Sequence, residues 1–149
     1  MGVVMSNFPE KRLLPLSSLP QTVRDQIRQR FKEVLESCND IVFAYLYGSF
    51  ARGEPFRDVD VALYTSGEKD FHYEARLSYR LKQLTGLEVD VRVINHAPVP
   101  FLYEIFREGK LLFSCNESLR TNLIDKVSRQ YREYAHFRNL FLGVAGVRS

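Results

Sequence analysis

Residues 48–61 run Gly-Ser-Phe-Ala-Arg-Gly-Glu-Pro-Phe-Arg-Asp-Val-Asp-Val, and several of their side chains could do chemistry. Gly48 lets a bulky ligand approach the backbone. Ser49 offers a hydroxyl and a main-chain N–H where a turn of helix is expected, a place that favours anions such as phosphates. A Gly-Ser pair by itself is ordinary turn chemistry; Asp58 and Asp60 strengthen the reading. Two residues apart on a strand, their carboxylates project from one face about 6–7 Å apart and repel one another. A divalent cation removes that repulsion, and hard oxygen donors suit Mg²⁺. Asp90 lies on the polar side of another alternating segment. If the two strands are neighbours, three carboxylates meet beside the turn. Two ions held there could activate an attacking hydroxyl and stabilise a leaving pyrophosphate. The plain alternative is a hairpin turn with solvated acids, which requires three separate features to coincide. Glu88 shares the face of Asp90 and is a second candidate for the third acid, although its place at the strand start suits an exposed role. Arg92 reads as a partner for the neighbouring carboxylates.

The surrounding elements must position these groups. Pro20 suits a first helical position. Val23, Ile27, Phe31, Val34, Leu35 and Cys38 then mark an amphipathic helix, with Arg24, Arg28, Arg30 and Lys32 mostly on its wet side. Ile41 to Tyr47 (IVFAYLY) is apolar without alternation, as expected of a strand covered on both faces. A second strand is predicted over 59–64. A helix marked by Phe71, Ala75, Ser78, Leu81 and Leu84 follows, stopped at Gly86. Residues 88–95 alternate strictly, with Val89, Val91 and Val93 facing the core. A short helix over 99–108, a strand over 111–113 and a long final helix complete the order. This pattern is a small mixed α/β (α+β) fold, a β-sheet flanked by helices.

Composition narrows the class. The 149 residues are 45% hydrophobic and 26% charged with a net charge of +3, which fits one globular domain and excludes a disordered chain. The longest apolar run, 41–47, falls far short of the roughly 20 residues that a membrane helix needs. No secretory signal pattern is visible, so a cytoplasmic protein is expected, with no membrane partner. Cys38 and Cys115 read as buried thiols packing as small hydrophobes, and the three isolated histidines give no metal pattern.

The run GSFARGEPFRDVDVAL with a later third acid resembles the signature of the DNA polymerase β-like nucleotidyltransferase superfamily. The short chain and the Ala-Arg-Gly after Gly-Ser are most similar to its minimal nucleotidyltransferases. The likeness spans residues 23–114. The loop between Ser49 and Asp58 is shorter than the usual family pattern, and Arg57 stands where a serine is common. The resemblance implies the polymerase β-like fold over one nucleotidyltransferase domain, 1–149. Within it, 1–19 would be an arm, 20–114 the catalytic core and 115–149 a C-terminal helix. It implies an NTP, with ATP foremost, and two Mg²⁺ ions. Gly48 and Ser49 would hold the β- and γ-phosphates, with Arg52 near the triphosphate. Asp58 and Asp60 would bind both metals, and Asp90 would bind one and help deprotonate the acceptor.

Relatives of that kind are typically encoded beside a small helical HEPN-domain toxin and add AMP to one of its tyrosines, acting as antitoxins. The implied function is therefore transfer of a nucleotide to a protein hydroxyl. The rivals are a binding antitoxin that occludes its partner, and transfer to a small molecule or an RNA end. The stripe Leu119, Leu123, Val127, Tyr131, Tyr134, Phe137 and Phe141 favours core or partner-facing packing over base stacking, so a nucleic-acid partner is not expected. The same aromatic helix makes a homo-oligomer plausible.

Overall fold

The computed structural model describes residues 16–146. The expected arm is described only from residue 16, because 1–15 lie outside that range, as do 147–149. The elements are α1 (Gln21–Glu36), β1 (Ile41–Tyr47), α2 (Gly48–Ala51), β2 (Val59–Thr65) and α3 (Phe71–Thr85). They continue with β3 (Val89–Val93), α4 (Val99–Glu108), β4 (Lys110–Ser114) and α5 (Glu117–Gly146).

The strands order as β3-β2-β1-β4. β1 is antiparallel to β2 and to β4, while β2 and β3 are parallel. A parallel pair needs a crossover, and α3 supplies it. Asp70 starts α3 by accepting the Tyr73 N–H at 3.1 Å, and Gly86, at φ +76°, ends it in the left-handed region. Pro20 caps α1 in an extended conformation rather than occupying its first helical position, one residue earlier than expected.

The central strand is apolar throughout because both of its faces are covered. On one face Leu46, Val61 and Leu63 pack with Phe31 and Leu35 of α1 and Leu77 and Leu81 of α3. On the other, Phe43, Tyr45 and Ala62 pack with Leu102 and Ile105 of α4 and Val127 of α5. β3 is an edge strand, so only Val91 of its three valines is fully buried. It is shorter than its alternating sequence because the side chain of Asn95 takes over the pairing. Asn95 Oδ1 accepts from Thr65 N at 3.0 Å, and its Nδ2 donates to Thr65 O at 2.7 Å.

Two expectations fail. Cys115 is exposed, because it lies in the turn just after β4 rather than in it, whereas Cys38 is half-buried and packs against the core as expected. Arg24 is not on the wet side of α1 but 5% exposed. It stands three residues before Ile27 and seven before Phe31, on the apolar face itself.

Along α5, Leu119, Leu123 and Val127 pack on the second core, and Tyr131 stacks on Tyr103 with ring centroids 3.8 Å apart. Beyond that the stripe leaves the body of the protein: Phe137 is 68% and Phe141 71% exposed. No helix among the described residues is long and apolar enough to cross a membrane.

Candidate active site

The site is built at one end of the sheet, where β1 turns into α2. Tyr47 closes β1 in an extended conformation and Gly48 turns at φ +79°. A β-carbon at residue 48 would run into Asp60 Oδ2, so only glycine fits both the backbone and the space. The next residues close a tight loop: Gly53 N–H donates to Phe50 O at 3.1 Å and Glu54 N–H to Ser49 O at 3.0 Å. Arg52 reaches back toward the Ser49 hydroxyl at 3.5 Å and pairs with Glu54 at 3.2 Å. The expected nucleotide-binding residues Gly48, Ser49 and Arg52 therefore form one local unit.

The carboxylates are joined by strand pairing. In the parallel register Asp60 lies opposite Asp90, and Asp58 immediately precedes β2. All three are half-buried, and an oxygen from each lies within 4.8 Å of the others. Mg²⁺–oxygen bonds are about 2.0–2.1 Å, so opposite ligands of one ion stand about 4.2 Å apart. Three hard oxygens at this spacing fit one shared ion after a small contraction, or two adjacent ions. Arg92 Nε stands 3.4 Å from Asp90 Oδ2, the partnership expected for it. Glu88 instead pairs with Lys82 at 2.7 Å, which removes it as a competitor for the third position.

Tyr47 registers the field of this cluster. Burial pushes its hydroxyl well above the usual tyrosine range, and the negative charges of Asp60, Asp90 and Asp58 push it further, partly opposed by Arg92. Beside Tyr47 a cleft of about 120 Å³ opens between Gly48, Arg52 and α4, lined also by Phe101 and Glu104.

Arg24 is the functional-site residue that the sequence reading missed. Its Nε donates to Leu19 O, Nη1 to Phe50 O and Nη2 to Glu54 O, each at 3.0 Å. Its guanidinium also lies 5.1 Å from the Phe50 ring centroid and 5.3 Å from that of Phe56. One side chain thus ties α1 to both ends of the Gly-Ser loop. An arginine inside an apolar helical stripe is the signal that could have revealed it. The far side of the loop is pinned by Ser17 and Phe56, which exchange backbone hydrogen bonds of 2.7 and 3.0 Å.

The family model described as polymerase beta, nucleotidyltransferase matches residues 29–118, and the chain belongs to that family. No curated protein matches it in sequence. Among solved structures it is similar to a chain of the toxin–antitoxin MntA–HepT, with a TM-score of 0.65 at 16% identity over 81% of this chain and 97% of that one. A complex of tri-AMPylated Shewanella oneidensis HEPN toxin with MNT antitoxin gives 0.66 at 16% identity, over 82% of this chain and 98% of the other. A toxin–antitoxin with AMP-PNP gives 0.66 at 18%, over 80% and 97%. At these identities the likeness is one of fold.

Proposed function

We propose that this polymerase β-family nucleotidyltransferase transfers AMP from ATP to a tyrosine hydroxyl of a HEPN-type protein partner and thereby acts as an antitoxin. The observation that carries the reading is the meeting of Asp58, Asp60 and Asp90 within 4.8 Å, directly against Gly48. Asp58 and Asp60 would hold two Mg²⁺ ions and Asp90 one of them. Bound there, the ions would neutralise the triphosphate and lower the pKa of the attacking hydroxyl.

The protein's own groups supply the rest. Gly48 and Ser49 seat the β- and γ-phosphates, and Arg52 adds charge beside them. The acceptor oxygen forms a bond to the α-phosphorus while the bond from that phosphorus to the bridging oxygen of the β-phosphate breaks, and pyrophosphate leaves. The hydroxyl proton passes to the Asp90 carboxylate, which Arg92 orients.

A protein acceptor is supported by the exposed aromatic end of α5. Tyr134, Phe137 and Phe141 continue a stripe whose earlier members are packed, and apolar surface of this kind marks a protein-binding face. The neighbours' toxin–antitoxin complexes, one with an AMPylated toxin, point the same way.

The test is incubation with α-labelled ATP, GTP, CTP or UTP, Mg²⁺ and any small helical HEPN-type protein encoded alongside. Label from ATP on the partner, lost in Asp58→Ala/Asp60→Ala, supports the proposal. Tight binding and neutralisation without label would assign the chain to occlusion instead.

A further inference from the structure

A second pocket of about 250 Å³ lies behind the Gly-Ser loop, between α1, α2 and the start of β4. It opens on the α1 side of the sheet, where Leu46 and Phe50 belong to the first core, whereas Asp60 shares its strand face with Ala62 of the second. Four cations line it: Arg24, Arg28, Arg52 and Lys110, with Gln21 at its edge. Among the described residues no carboxylate lies within ion-pairing distance of Arg24, Arg28 or Lys110; Arg52 alone has one, Glu54.

Two features separate this pocket from a chance gathering of surface charge. Arg28 Nε is buried with no hydrogen-bond acceptor among the described residues, an expensive state for a charged donor. Arg24, 5% exposed, is held rigid by its three carbonyl partners, yet a guanidinium has five N–H bonds, so two are left over. Positive charge that is fixed, partly desolvated and unmatched by carboxylates is what a phosphate oxyanion requires.

We propose that this pocket is a second anion site, taking a phosphate ester or polyphosphate. Arg52 also lines the cleft beside Gly48, so the pocket adjoins the nucleotide site without including its carboxylates. The ligand has two possible sources. One is a free polyphosphate, since the nucleotide's own β- and γ-phosphates are seated at Gly48 and Ser49. The other, which rests on the transfer proposed above, is the phosphodiester that a first transfer leaves on the acceptor. That source would fit successive additions.

The experiment uses the full chain and calorimetric titration without turnover. The probes are tripolyphosphate, ATP and 5′-phosphorylated diadenylate. Arg28→Gln/Lys110→Gln removes two pocket charges, and Arg30→Gln/Arg80→Gln removes two exposed charges elsewhere. At least tenfold weaker binding of tripolyphosphate or diadenylate to the pocket variant, with ATP unchanged and less than threefold change in the control, supports the site. Loss for tripolyphosphate alone assigns a free polyphosphate, and loss for diadenylate assigns the acceptor phosphate; loss for ATP makes the pocket part of the nucleotide site and overturns the proposal. Equal behaviour of the two variants for every probe overturns the proposal. If the pocket variant fails to fold, the side-chain Nε–Hε resonance of Arg28 in the unmutated protein decides. Movement on titration with tripolyphosphate or diadenylate supports the site, and no movement with either overturns it. Because no transfer is measured, failure of the labelling experiment leaves this result standing.

Discussion

Gly48 and Asp60 are in such close contact that the backbone of one occupies the only space the carboxylate of the other leaves. A β-carbon at residue 48 would overlap Asp60 Oδ2, and the pairing of Tyr47 with Asp60 across β1 and β2 enforces the approach. The Gly-Ser turn and the acid triad are thus one feature, made by two adjacent strands.

Gly48→Ala is therefore expected to damage both at once. The left-handed backbone alone costs an alanine about 1–2 kcal/mol, and the overlap forces Asp60 to move. Urea denaturation should register the first effect, and AMP transfer should fall by at least about 100-fold. Normal transfer in a folded Gly48→Ala protein would refute the coupling.

Divalent metal should stabilise the folded chain through the acid triad. Adding Mg²⁺ or Mn²⁺ at about 100 times its dissociation constant is expected to contribute about 2.7 kcal/mol, visible as a higher Tm. In Asp60→Asn the shift should vanish, because the residue opposite Asp90 no longer supplies an anionic ligand. Thermal melts with and without metal, for both proteins, check this.

Arg24→Lys is expected to destabilise the protein by about 3 kcal/mol despite the conserved charge. A lysine cannot present the fork that bonds Leu19, Phe50 and Glu54 together, so the buried Phe50 carbonyl and two partly buried ones lose their donor. Denaturant midpoints measure the loss. Hydrogen exchange should show the Gly-Ser loop opening more readily than the sheet.

Acid should loosen the start of α5. Two hydrogen bonds of 2.8 Å from Arg120 hold the Glu117 carboxyl at about 2, against an ordinary value of 4.5. Lys69, 2.9 Å away, likewise lowers Asp40. The unfolded chain binds the Glu117 proton first, so its contribution is complete above about pH 4.5 and is lost as pH falls toward 2, and that of Asp40 is lost in the same direction. Glu117→Gln should flatten that part of the pH–stability curve, and salt should shrink it, since Glu117 is exposed.

Phe137→Asp/Phe141→Asp should leave the fold intact, because both rings are mostly solvent-exposed. Labelling of a HEPN partner should nevertheless drop at least tenfold. Pull-down and thermal melting, run together, separate lost docking from lost folding.

Much of this protein was legible in the order of its residues. The unbroken apolar run Ile41–Tyr47 announces a strand covered on both faces, and both cores do cover it. Strict alternation places Asp90 opposite the core valines, and Gly-Ser followed by Asp-x-Asp marks the end of the sheet where chemistry is possible. These are local signals, carried by side-chain period and backbone preference.

What tertiary structure decided is which local signals meet. Only the parallel pairing of β2 with β3 brings Asp90 opposite Asp60 and leaves Glu88 to Lys82. Arg24 reads as one more cation on a basic helix. Its role exists only because α1 lies against the loop, where three backbone carbonyls 5, 26 and 30 residues away converge on a single guanidinium. Cys115 errs in the opposite direction: its apolar neighbours suggest burial, but the chain has already left the strand. Periodicity specifies the face on which a residue lies. What stands opposite that face depends on strand order and helix packing, which no stretch of local sequence contains.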